Sequence, residues 1–247
     1  MRKVMCRMTR PETRRRLGRA GIALLFTLIF CLGLWTVDDY GRYWDEKGEI
    51  NIYRMALMEY GEILPFETGF HQALSAMGVT PLSQSIEMDH NSSAYYPLAP
   101  LACDPNVTEQ RMTHWWRVWT WALFTLGLYA LYAICRRMGL PRLLAAAVVL
   151  LALCCPRLFA QGHYNNKDAA LMDLTAVVLW QSLRLREKPT AGRALCFALA
   201  AGFCTNTRII GGAVSLLCGG MALLSLLLEK RFTRRTWRAV LVAVLGS

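Results

Sequence analysis

The sequence predicts an all-α membrane protein, a polytopic helix bundle interrupted after its first helix by one long extracytoplasmic loop containing interfacial helices. Three observations predict it. Hydrophobic residues are 55% of the 247 and charged ones 18%, but the apolar residues gather into nearly uncharged runs that have no way to hide all their faces in water. Charge is divided by position: twelve of the 17 Asp/Glu lie in residues 38–114, with only Arg42, Lys47, Arg54 and Arg111 against them. That stretch carries −8 and the remainder +19. Lys and Arg also cluster between alternate runs, as the positive-inside rule requires.

Residues 1–19 hold eight Lys/Arg against Glu12 and form a cytoplasmic basic N-terminus, followed by the apolar run 20–37. A basic head before an apolar run also describes a signal peptide. This run is long for one and ends in Trp35-Thr36-Val37-Asp38 without a small-residue cleavage site, so it reads as an uncleaved first transmembrane helix. Residues 38–114 form the outer loop, where Ile52, Met55, Leu57 and Met58 make a helical apolar stripe suited to the membrane interface. Residues 115–247 supply the remaining bundle, with runs at 115–135, 143–155, 169–183, 194–207 and 209–228 and the start of a seventh at Trp237.

With the N-terminus inside, the inner segments 1–19, 136–142, 184–193 and 230–238 hold 20 of the 28 Lys/Arg. The runs 143–155, 169–183 and 194–207 fall short of the ~20 residues of a full span. Their irregular ends share the outer side, so they are expected to stop at a polar cavity open to the outside; local thinning or a miscounted hairpin would give the same lengths. Ser247 comes only about ten residues into the seventh run, too few to span, and the chain is expected to be truncated there or to end in a partly docked segment.

A net charge of +11 invites a nucleic-acid partner, but the asymmetry is a membrane signal and no recognition motif accompanies it. Of nine cysteines, most lie in or beside apolar runs. No CxxC or metal-ligand spacing occurs, so they read as buried thiols.

Four outward features carry chemistry: Trp44-Asp45-Glu46-Lys47-Gly48-Glu49, the stretch from Pro156 to Asp168, the stretch from Thr205 through Arg208 to Gly211, and the tract from Asp89 and His90 to Pro97 in the loop. Charges at a membrane boundary are costly unless paired or hydrated and mark functional sites by default. Asp45 and Glu46 opposite Lys167, Arg208 and Arg157 would hold an anion and abstract a proton, the pairing needed to transfer a group away from a phosphate. Singly, Asp45 reads as a solvated loop acid and Arg208 as an interfacial anchor. His163 and Tyr164 read equally as aromatic-belt residues, and Asp173 lies inside a run, facing the bundle or the cavity. Asp45, Glu46 and His90 are the side chains that could take a divalent cation, with no geometry fixed; no other cofactor is indicated.

These residues resemble a family. A basic N-terminus and first helix, then Trp44-Asp45-Glu46 and a long loop, resemble the GT-C glycosyltransferases, specifically the protein O-mannosyltransferase-like glycosyltransferase family 39. The stretch Pro156-Arg157-Leu158-Phe159-Ala160 through Tyr164-Asn165-Asn166-Lys167-Asp168 resembles a segment of the bacterial members, and Thr207-Arg208-Ile209-Ile210-Gly211 resembles their Thr-Arg-x-x-Gly turn. The resemblance implies a GT-C-like bundle in a bacterial plasma membrane and a polyprenyl-phosphate-linked sugar donor. It implies inverting transfer to a protein, lipid or glycan acceptor outside the cytoplasm, with membrane lipids as the other partners and no nucleic acid. Asp45 would be the general base and Glu46 its orienting neighbour. Lys167 and Arg208 would contact phosphate or pair with Asp168, with His163, Tyr164 and Asn165 completing substrate binding. Two departures stand out: Asn166 replaces a usual Pro, and family members continue through several more helices. A transporter, or a non-catalytic subunit or inactive fragment, is the alternative.

Overall fold

The structure, a computed structural model, describes residues 11–41, 44–63, 69–87, 93–229 and 242. Every element among them is helical: α1 (Pro11–Thr36), α2 (Glu46–Ile63), α3 (Gly69–Ala76), α4 (Ala99–Ala102), α5 (Glu109–Arg137), α6 (Arg142–Leu153), α7 (Pro156–Tyr164), α8 (Asp168–Glu187), α9 (Ala191–Thr207) and α10 (Ile209–Leu228), with short 3-10 turns at Leu82–Gln84 and Ser93–Leu98. The tract 88–92, which includes His90, and the seventh run lie outside the described residues, apart from Val242, which packs partly buried on the main core.

Among the described residues, three helical stretches are long and apolar enough to cross a membrane: Arg16–Thr36 in α1, α5 and α10. A fourth exists if α6 and α7, bent by 71° at their junction, form one broken span. Of the six expected spans, the first, second and sixth are among these and the third falls in the bent pair. α8 fills the 169–183 run but includes Asp168, Asp173, Arg184 and Arg186, and α9 has 17 residues. The stretch after residue 155 is not irregular either. Pro156 opens α7 instead of only ending α6, because a first-turn proline lacks an N–H the helix would not have used.

Local sequence explains the other boundaries. Thr108 caps α5 by accepting from the Arg111 N–H at 3.2 Å, which starts the helix six residues before the apolar run. Gly139, at φ 91°, ends it: its N–H donates to the Arg136 carbonyl (3.3 Å) and that of Leu140 to Cys135 (3.1 Å), the paired bonds of a Schellman stop that needs a left-handed residue. The Asn165 Oδ1 accepts from the N–H groups of Asp168 (2.9 Å) and Lys167 (3.3 Å), turning the chain into α8. Thr190 caps α9.

α5 is the central helix. One side packs Trp121, Phe124, Leu128 and Tyr132 against Ile29 of α1 and Ala145, Val149 and Leu153 of α6. The other packs Trp116, Leu123 and Ala130 with α8 and α9 residues including Leu174, Val178, Phe197 and Ala201. The loop between α1 and α5 docks on this second side: Tyr95 stacks on Trp116 (centroids 3.9 Å apart), its hydroxyl bonds Thr120 (2.7 Å), and Trp119 donates to the Ala94 carbonyl (2.7 Å). A stacked pair of this kind contributes about 0.5–1.5 kcal/mol beyond its area.

The α2 stripe does form, but it builds the loop's own core. Ile52, Met55 and Ala56 pack on Leu82, and Met58 and Leu57 on Leu74 and Cys103. An amphipathic period specifies an apolar partner without specifying which one. The thiols also divide. Cys103, Cys135 and Cys204 are buried, whereas Cys31, Cys154 and Cys196 point outward, as an apolar side chain does on a lipid-facing helix. Burial pushes the Cys103 thiol up to about 11, with Arg54 opposing. At pH 7.5, maleimide should label Cys103 about a hundredfold more slowly in the folded chain than after unfolding in SDS, as read by peptide mass spectrometry; equal rates would show that this loop core is open.

Candidate functional site

Ion pairs collect at two ends of the bundle. At one, Arg137 and Arg193 meet Glu187 (2.9 and 3.7 Å) and Arg186 meets Glu229 (3.3 Å). The other lies about 30 Å away along α5, by the helical rise between Arg137 and Arg117, and holds the acidic loop motif together with the 165–168 and 207–208 turns.

There Glu46 opens α2 fully buried. Its carboxylate takes a bidentate grip from Arg117, Nε to Oε1 at 2.7 Å and Nη2 to Oε2 at 2.8 Å. The same guanidinium donates to the Tyr40 carbonyl (2.7 Å) and the Gly41 carbonyl (3.1 Å). Four hydrogen bonds thus tie the turn between α1 and α2 to the central helix α5. One helical turn further, the buried Glu49 carboxylate holds the Lys167 ammonium. Both acids lie in the first turn of α2, where carboxylates also favour the helix.

Asp45 sits half-buried just before that turn, and its carbonyl receives the Glu49 N–H at 2.8 Å. Arg208 reaches Asp168 (3.0 Å), both partly exposed; such a pair contributes at most about 1 kcal/mol. Arg157 is exposed on α7. The expected cluster of Asp45 and Glu46 facing Lys167, Arg208 and Arg157 is therefore redistributed: Glu46 belongs to Arg117, Lys167 to Glu49 and Arg208 to Asp168.

His163 is fully buried beneath Tyr40 (centroids 4.6 Å), Trp121 (4.2 Å) and Phe159 (5.0 Å). Its Nδ1 donates to the Phe159 carbonyl at 2.9 Å and its Nε2 lies 2.9 Å from the Thr36 hydroxyl. It joins α7 to the end of α1. Tyr164 lies 6.1 Å from Tyr40, and Asn165 is spent on its turn. Asp173 is 3% exposed and packed against Gly127 of α5. No group of three or more His, Cys, Asp or Glu able to hold a metal ion occurs among the described residues.

Two members of the site were not anticipated. Arg117 stands alone among tryptophans in Trp115-Trp116-Arg117-Val118-Trp119; an isolated charge in an apolar run was the available signal. Glu49 was visible only as part of its motif, because pairing with Lys167 depends on chain reversals more than a hundred residues apart. Comparisons with protein-family models, with characterised proteins and with solved structures find no match for this chain, so its residues and their geometry carry the functional argument.

Proposed function

We propose that the chain is a membrane glycosyltransferase that moves a sugar from a polyprenyl-phosphate donor to an acceptor on the extracytoplasmic side. The observation that carries the reading is the Glu49–Lys167 pair, which joins the acidic loop motif to the second resembling motif; Asp168–Arg208 adds the third. On this reading the basic N-terminus lies in the cytoplasm, the bundle is GT-C-like and α2 and α3 lie at the outer interface, which the exposure of Trp44, Ile63 and Phe70 supports.

The Trp44-Asp45-Glu46 motif gives proton abstraction to Asp45, half-buried at the start of α2. Asp45 takes the proton of the acceptor hydroxyl as its oxygen attacks the anomeric carbon. The bond from that carbon to the phosphate oxygen breaks with inversion, and polyprenyl phosphate leaves with both electrons. Cationic side chains stabilise the departing phosphate.

The test is transfer by the purified chain in lipid, with polyprenyl-phosphate sugars as donors. Asp45→Asn is expected to lower turnover by about 10²–10⁴-fold, the usual contribution of a general base, with folding unchanged. Transfer that survives the substitution sinks the assignment. A transporter has one observation in its favour, the buried Asp173 between α5 and α8. Solute flux in liposomes with no transfer from any donor would decide for it.

A further inference from the structure

The 29 residues of α5 make it about 43 Å long, against about 30 Å of bilayer hydrocarbon. With Arg136 and Arg137 at one boundary, its first turns stand beyond the hydrocarbon at the other, at headgroup depth. There the chain leaving α1 and the start of α5 enclose a cleft of about 690 Å³, lined by Asp38, Gln110, Arg111, Thr113, His114 and Arg117 among others.

The chemistry of the lining is that of an anion site. Lys167 and Arg208, the cations assigned by motif, already hold carboxylates. Arg111 is exposed and forms no ion pair with any described residue. Arg117 spends four of its hydrogen bonds on Glu46, Tyr40 and Gly41, which fixes its plane and leaves one of the five guanidinium N–H groups for the cleft. Gln110 and Thr113 add neutral donors. The cleft's carboxylate, Asp38, is turned onto His114, accepting from Nδ1 at 2.9 Å.

We propose that this cleft binds a phosphate group, carried by a lipid headgroup or free in solution, with Arg111 as its principal cation. The proposal rests on the membrane placement of α5 in the reading above and not on sugar transfer. A planar guanidinium suits phosphate bidentately, and the volume leaves room for the group the phosphate carries.

The full chain in dodecyl maltoside would be titrated calorimetrically with dioctanoyl phosphatidic acid, inorganic phosphate and dioctanoylglycerol. Phosphatidic acid is expected to bind and dioctanoylglycerol not. Arg111→Gln should weaken binding tenfold or more, Arg111→Lys should restore part of it, and Arg186→Gln, at the other end of the bundle, should leave it unchanged. Inorganic phosphate binding as tightly as the lipid assigns the cleft to a free phosphate, and much weaker binding assigns it to a headgroup. Binding unaffected by Arg111→Gln, or lost equally in Arg186→Gln, overturns the proposal, whether or not the chain transfers sugar.

Discussion

Arg117→Met is expected to lower unfolding free energy by about 3–5 kcal/mol, the loss that follows when one partner of a buried ion pair is removed. The physical reason is what stays behind. Glu46, 4% exposed, would lose its counter-ion in a buried site, and the Tyr40 and Gly41 carbonyls would lose their donor. Replacing both partners, as in Glu46→Leu/Arg117→Met, removes the stranded charge and should recover more than half of the loss. It should not recover all of it, since a buried acceptor without a donor costs about 1–3 kcal/mol. Arg117→Lys should fall between, because an ammonium cannot reproduce the fork that spans a carboxylate and two carbonyls. Unfolding in mixed micelles by added SDS, followed by circular dichroism, measures all three. Arg117→Met within about 1 kcal/mol of wild type would mean that water reaches the pair.

Gly127→Ala should destabilise by about 1–3 kcal/mol, as overpacking of a fitted core does. A methyl at Gly127 would lie 2.7 Å from Cγ and 2.8 Å from Cβ of Asp173, and neither helix can give way without disturbing the α5–α8 contact. Asp173 itself contributes little to stability. Its Oδ2 is buried with no hydrogen-bond partner among the described residues, and an unsatisfied buried polar atom is a cost. Asp173→Ala is therefore expected within about 1 kcal/mol of wild type. The double variant Gly127→Ala/Asp173→Ala should be more stable than Gly127→Ala alone, since the second substitution clears the space the first one fills. Additive losses would show that the two positions do not meet. Loss of transfer or flux in Asp173→Ala at unchanged stability would give the acid a functional role.

The buried pair also bears on how the loop is seated. α2 meets the bundle through Glu46 and Glu49, each matched by a cation from a different part of the chain, Arg117 on α5 and Lys167 before α8. Tyr95 and Trp119 fasten the far end of the loop to the same helix. The position of Asp45 is therefore a property of α5 as much as of its own motif, and variants at Arg117 should displace Asp45 without touching it.

The sequence by itself determined the helical class, the apolar helices able to cross a membrane, the long acidic loop after the first of them, and most of the stops and starts. Those features are local: an apolar run, a Thr108 cap, a Gly139-Leu140-Pro141 stop and the Asn165 turn act within a few residues. It also placed Lys167, Asp168 and Arg208 at one end, because charges at helix ends alternate when neighbouring helices run antiparallel. Only the tertiary structure decided who pairs with whom. Whether Lys167 meets Asp45, Glu46 or Glu49 differs by one helical turn, about 5 Å, and is set by how α2 rotates against α5 when Tyr53, Tyr95 and Trp116 pack. The same packing gave the α2 stripe a partner inside the loop, bent α6 into α7, and turned a single arginine among tryptophans into the anchor of the first loop, because burial and long-range pairing are properties of the assembled helices and of no segment alone.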